Sequence, residues 1–171
     1  MGKNIDWDSL AFNYVETDCH IKYVCKDGVW GQQQVVDEPQ IQMHISATAL
    51  HYGQAAFEGL KAYACKDGKV RIFRSEENGR RIQLSGERSM MAKVPAEVFE
   101  EAVQAAVAKN IDYVPPYGTG GSLYIRPLLF GTGPQMGLAP STEYTLIVFV
   151  APVGAYYKAG IKAIDAIILE G

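Results

Sequence analysis

The chain has 171 residues, 48% hydrophobic and 20% charged, enough apolar matter to close one sound core and too much for a disordered segment. Its 16 Lys and Arg stand against 19 Asp and Glu, a formal charge of −3, and the basic residues are scattered, which argues against a nucleic-acid surface. No apolar run reaches the roughly 18 residues that span a bilayer, and the stretch from Met1 to Leu10 lacks the apolar core of a secretory signal, so no membrane partner and a cytoplasmic location are expected.

Along the chain, Ile21 to Cys25 and Val29 to Val36 flank Lys26-Asp27-Gly28, which predicts a hairpin. Asp6 stands where a myristoylation signal would need Ser or Thr. Tyr52 to Tyr63 opens on a glycine-containing bend and passes into alternation, with Leu60, Ala62 and Ala64 on one side and Lys61, Tyr63 and Cys65 on the other. Asp67-Gly68 then turns the chain into a return strand from Lys69 to Arg74. The tetrapeptide Cys-Lys-Asp-Gly at 25–28 recurs at 65–68, but the flanking strands differ and no longer period follows, so this is no repeat architecture.

Ser75, followed by Glu76, Glu77 and Asn78, reads as an N-cap with carboxylates in a helical first turn. Arg80 and Arg81 therefore sit early on a helix, about 100° apart around its axis. Pro95 opens a second helix, whose stripe of Val98, Phe99, Ala102, Val103, Ala106, Val107 and Ile111 is spaced to cover a sheet. Pro115 to Gly121 is a loop feeding a strand at Ser122 to Phe130, with Tyr124 and Arg126 on one face. No Gly-Lys-Ser/Thr follows its glycines, so it is not a phosphate-cradling P-loop.

A second loop, Gly131 to Pro140, carries Met136 and Leu138, and Tyr144 to Val150 returns as a buried strand. Val153-Gly154-Ala155-Tyr156-Tyr157 reads as a link, and Ile161 to Leu169 as an apolar strand with nothing closing behind it. The pattern predicts an α+β fold, a small α/β domain over 1–152 whose mainly antiparallel sheet carries packed helices. The remaining stretch, 153–171, is read as the link and the start of a second domain.

Cys19, Cys25 and Cys65 are odd in number and lack CxxC spacing, so free thiols are expected rather than a disulfide framework or a zinc site. His20, His44 and His51 likewise lack ligand spacing, and no metal is expected. Arg80 and Arg81 are both candidates for an anionic group, because a guanidinium fixed on a short helix gives forked, charge-assisted bonds to phosphate or carboxylate. A solvated ion pair is the plainer role for an arginine on a helix surface.

Four blocks stand in order: LAFNYVETD from Leu10, GVWGQQQV from Gly28, HYGQAAFEGLKAY with VRIFRSEENGRR from His51, and SLYIRPLLFGTG with FVAPVGAYY from Ser122. Together they resemble the branched-chain amino-acid aminotransferases, pyridoxal-phosphate enzymes of fold type IV. The D-amino-acid aminotransferases and aminodeoxychorismate lyases of the same fold type differ at the glycine turn, where this chain has Tyr52 to Gly59. A non-catalytic domain that binds a partner or a phosphate-bearing ligand is the other reading.

The resemblance implies transamination between Leu, Ile or Val and 2-oxoglutarate, giving the branched 2-oxo acid and glutamate, with pyridoxal 5'-phosphate as cofactor in a homodimer. It matches Arg81 to the ligand of the cofactor phosphate. Phe12, Tyr52, Phe57, Tyr124, Met136 and Leu138 match the walls of the branched side-chain pocket, some donated across the dimer. Arg126 matches an organiser of that pocket that, with Tyr124, orients a substrate carboxylate or holds Tyr52. The family's Schiff-base lysine falls beyond Gly171, so no catalytic residue is assigned; Lys158 and Lys162 lie outside its motif, and the chain alone is expected to be an inactive N-terminal fragment.

Overall fold

The computed structural model describes residues 5–154 together with Ala163, Ala166 and Ile167. Lys158, Lys162 and most of the expected link and final strand lie outside the described residues. Eight strands form one sheet: β1 (His20–Lys26), β2 (Val29–Trp30), β3 (Gln34–Val36), β4 (Ala55–Phe57), β5 (Leu60–Ala64), β6 (Val70–Ile72), β7 (Ser122–Gly131) and β8 (Glu143–Val153). Their order is β2-β1-β8-β7-β5-β6, with β3 also on β1 and β4 on β7. Every pairing is antiparallel, as the sequence predicts.

The first hairpin turns through Asp27 and Gly28, both left-handed at φ 48° and 81°, a two-residue turn whose twist matches that of its strands. Its return arm, expected to run unbroken from Val29 to Val36, splits into β2 and β3 because the pairing with β1 slips by one residue: Cys25 faces Trp30, but Lys22 faces Gln34. This leaves a bulge after Gly31, whose N–H still bonds the Val24 carbonyl at 2.8 Å. Strands β7 and β8 outrun their expected ends because they stay paired with each other to Gly131, opposite Tyr144, and to Val153, opposite Ser122.

Alternation gives the sheet two unlike faces. Ile21, Tyr23, Cys25, Leu123, Ile125, Leu129, Leu146, Val148 and Val150 are buried on one of them and pack into the core. Helices α2 (Ser75–Arg88) and α3 (Ala96–Lys109) cover this face, α3 with Phe99, Ala102, Val103, Ala106 and Val107. Ile111, expected to extend that stripe, does not: the helix stops at Lys109, and Ile111 is 47% exposed in a following 3-10 turn.

Ser75 does not cap α2. The cap position belongs to Arg74, left-handed at φ 50°, and Ser75 is the first helical residue. Its hydroxyl donates instead to Glu100 on α3 at 2.7 Å, so it ties the helices to each other rather than closing an end. Glu76 and Glu77 do occupy the first turn. Gly79 lets α2 lie close on α3, since a Cβ there would come within 3.0 Å of the Phe99 ring. A short helix not foreseen in the sequence, α1 (Thr48–Tyr52), precedes β4 and ends on left-handed Gly53 at φ 64°.

Candidate functional site

Strands β4 and β5 run along β7 in a single register, Phe57 opposite Leu128 and Leu60 opposite Ile125. Between them Glu58 and Gly59 must point to opposite faces. Glu58 turns to the helical side, where its side chain is 1% exposed. It accepts Arg81 Nε at 2.7 Å and Arg81 Nη2 at 2.6 Å, and Asn78 Nδ2 donates to the same carboxylate at 2.7 Å. Asn78 and Arg81 are three apart on α2, hence on one side of the helix.

This is a forked guanidinium–carboxylate pair of uneven exposure, because the Arg81 side chain is 66% exposed. The Glu58 carboxylate raises the Arg81 pKa further above its ordinary value, so the cation is permanent. Arg80 points elsewhere, as its place on the helix predicts, and pairs in solvent with Glu77 at 2.6 Å.

On the other face of the sheet, four of the expected residues come together. Arg126 Nε donates to the Tyr124 hydroxyl at 3.0 Å. Its guanidinium lies 4.6 Å from the centroid of Phe57 and 5.2 Å from that of Tyr124, within cation–π range. Phe12 meets Tyr124 edge-on at 5.0 Å. It is held there by the segment before β1, whose Ala11 carbonyl accepts the Gly154 N–H at 3.3 Å. A cleft of about 470 Å³, lined by Gly59, Lys61, Phe73, Asn78 and Tyr124, opens beside this cluster.

Tyr52, Met136 and Leu138 form a separate group. The Tyr52 hydroxyl donates to the Met136 carbonyl at 2.6 Å, so Tyr52 is held by this loop and not by Arg126. Tyr52 and Leu138 share the wall of a second depression, of about 320 Å³. Met136 and Leu138 are 83% and 89% exposed. Gln54 ties α1 to the end of α2 and to the loop before β8: its Oε1 accepts the Thr48 hydroxyl at 2.7 Å and the Ser141 N–H at 3.3 Å, while its Nε2 donates to the Ser89 carbonyl at 3.0 Å.

Glu58, Asn78, Gly59 and Gln54 are not among the residues singled out from sequence. An available signal was the glutamate between Phe57 and Gly59 in a strand: a carboxylate on the buried side of a sheet needs a cation, and Arg81 was at hand. Among the described residues, no group of His, Cys, Asp and Glu could hold a metal ion, and no helix is long and apolar enough to cross a membrane.

No family model matches the chain. It is 43% identical over 159 residues to the branched-chain-amino-acid aminotransferase of Haemophilus influenzae, covering 93% of this chain and 46% of that protein. It is 45% identical over 160 residues to the enzyme of the same name from Helicobacter pylori, covering 94% and 47%. The chain thus spans about half the length of the curated relatives it matches. The solved Escherichia coli branched-chain amino acid aminotransferase superposes with a TM-score of 0.60 at 27% identity, over 78% of this chain and 40% of that one. The T.th. enzyme of that name, solved with pyridoxamine 5'-phosphate, gives 0.59 at 27% identity, over the same shares.

Proposed function

We propose that this chain, a homologue of the branched-chain-amino-acid aminotransferases over 93% of its length, supplies the phosphate anchor and much of the side-chain wall of a transaminase. Its substrates are Leu, Ile or Val with 2-oxoglutarate. The observation that carries this reading is Arg81, whose guanidinium is fixed along one edge by a buried carboxylate while the side chain as a whole is 66% exposed. Two of its five N–H donors serve Glu58, which leaves three for an oxyanion. That donor set fits the phosphate of pyridoxal 5'-phosphate.

When bound, pyridoxal phosphate supplies an electron-withdrawing ring that takes up and gives back an amino group. The chain's own residues bind and sort substrates around it. Phe12, Phe57 and Tyr124 offer aromatic walls to a branched side chain, and each methylene withdrawn from water is worth about 0.8 kcal/mol, enough to rank aliphatic substrates but not to exclude close neighbours. The same wall presents the Arg126 guanidinium, held by the Tyr124 hydroxyl, and this cation with its hydroxyl suits the carboxylate of 2-oxoglutarate or glutamate. One pocket then accepts an apolar and an acidic side chain in turn.

Tyr52, Met136 and Leu138 are proposed to complete the pocket of a second copy in a homodimer. Two apolar side chains more than four-fifths exposed on one loop favour that role. The cysteines Cys19, Cys25 and Cys65 are all free, which suits a reducing compartment such as the cytoplasm.

The test is glutamate formation from leucine, isoleucine and valine with 2-oxoglutarate, using the whole polypeptide that carries this sequence. Arg81→Ala should lower kcat/KM by about a hundredfold or more through loss of cofactor. Activity that ignores the substitution would remove the proposal.

A further inference from the structure

The geometry points to Glu58 as a positioning residue, whose carboxylate fixes the plane of Arg81 so that the free edge of the guanidinium is ready for the cofactor phosphate. This rests on reading Arg81 as the phosphate anchor.

The two partners are unequally placed. An arginine that is 66% exposed needs no partner, because water solvates it. A glutamate that is 1% exposed does need one, since an unpaired buried carboxylate is costly. A hydrophobic side chain at position 58 would fill the same strand site without that cost, and Leu60, two residues on, does so on the same face. The carboxylate therefore has to be explained by what it does to Arg81.

What it does is remove rotations. A free arginine side chain has four soft torsions and loses much of that freedom on binding an anion. Here Nε and Nη2 are both engaged by one carboxylate, at 2.7 Å and 2.6 Å, and Asn78 Nδ2 at 2.7 Å steadies that carboxylate in turn. The guanidinium plane is fixed before any ligand arrives, with Nη1 and the second hydrogen of Nη2 still free to donate. Preorganisation of this kind lowers the entropy lost on binding.

Two physical effects of Glu58 on anion binding carry opposite signs. As a negative charge beside the anchor, Glu58 repels a phosphate, so Glu58→Gln should tighten binding if charge dominates. As a positioning group it favours the phosphate, so the same substitution should weaken binding if orientation dominates. The proposal requires weakening.

The experiment titrates the 171-residue chain with inorganic phosphate and, separately, with pyridoxal phosphate, following the Arg81 Nε–H signal by NMR. In the wild type that signal should be slow to exchange before ligand is added and should shift saturably with either probe. Glu58→Gln should weaken both affinities about tenfold, the worth of one well-aligned charge-assisted bond, and should free the Nε–H to exchange. Arg81→Lys keeps the charge and a partner for Glu58 but has no fork, so it also should bind about tenfold more weakly; it decides the matter if Glu58→Gln does not fold. Affinity equal to wild type or tighter in either folded variant overturns the positioning role. Loss of binding in Arg81→Ala alone would then leave the anchor standing, whereas no saturable shift of Arg81 in the wild type overturns both.

Discussion

The hydroxyl of Tyr124 lies over Gly59, so close that a Cβ at position 59 would come within 2.6 Å of it. Gly59 lies opposite Arg126 in the register of β4 and β5 on β7, and Tyr124 leans along β7 to meet the Arg126 Nε at 3.0 Å. Absence of a side chain at Gly59 is thus what lets the tyrosine and the arginine meet. Gly59→Ala should push the ring aside and break that bond while leaving the core folded, since Tyr124 is only half-buried. Under the proposed function, the whole polypeptide that carries this sequence should lose about tenfold in kcat/KM with 2-oxoglutarate and less with leucine, read from steady-state kinetics.

A second close approach fixes the N-terminal segment. A Cβ on Gly154 would collide with the carbonyl oxygen of Leu10, and here the obstacle is backbone, which cannot swing aside as a side-chain tip can. Gly154→Ala should lift the segment, remove Phe12 from its edge-on contact with Tyr124, and cost about 1–3 kcal/mol. Faster protease cleavage before His20 than in the wild type would verify this; an unchanged cleavage pattern would count against it.

Asn110 is 1% exposed and joins the end of α3 to the start of β1. Its Oδ1 accepts the N–H groups of Asp18 and Cys19, and its Nδ2 donates to the carbonyls of Cys19 and Ala106. Asn110→Ala would leave several of these groups unpaired beneath the helix, so a loss of about 3 kcal/mol is expected in denaturant unfolding. A loss below about 1 kcal/mol would mean that water replaces the amide.

His20 gives a pH signature. It is 8% exposed, its Nε2 is buried without a partner among the described residues, and burial lowers its pKa, with Lys22 adding to the effect. The unfolded chain takes up a proton near pH 6.5 while the folded one resists. The stability tied to neutral His20 is therefore complete above about pH 6.5 and is lost as the pH falls through the folded value. Between about pH 7.5 and 5.5 the denaturation midpoint should drop in the wild type and stay nearly level in His20→Gln; parallel curves would refute this.

Much of the fold was legible because its signals are local. Asp27-Gly28 and Asp67-Gly68 mark turns, Phe99 to Val107 repeat at helical spacing, and Leu60 with Ala62 alternate as a half-buried strand should. The errors fell where pairing between segments decides. Ser75 looks like a cap until Glu100, far along the chain, takes its hydroxyl, and the arm from Val29 splits because its pairing with β1 slips by one residue between Trp30 and Gln34.

At the site, strand alternation put Tyr124 and Arg126 on one face, while Arg81 was told from Arg80 by the family resemblance rather than by residue type. Glu58, a glutamate within a predicted strand, signalled a need for a cation, but which cation answers it could not be assigned without knowing that α2 returns over β4. Nor could the sequence say that Tyr52 would hold to Met136 rather than to Arg126. Both depend on contacts between segments that only the folded sheet brings together.

The measurement that bears most directly on the account is the affinity of the wild-type chain and of Arg81→Ala for pyridoxal phosphate, followed by 31P NMR of the phosphate. The account predicts saturable binding by the wild type and a loss of at least about tenfold on removing the guanidinium. Equal affinity in the two proteins would contradict it and place the phosphate elsewhere.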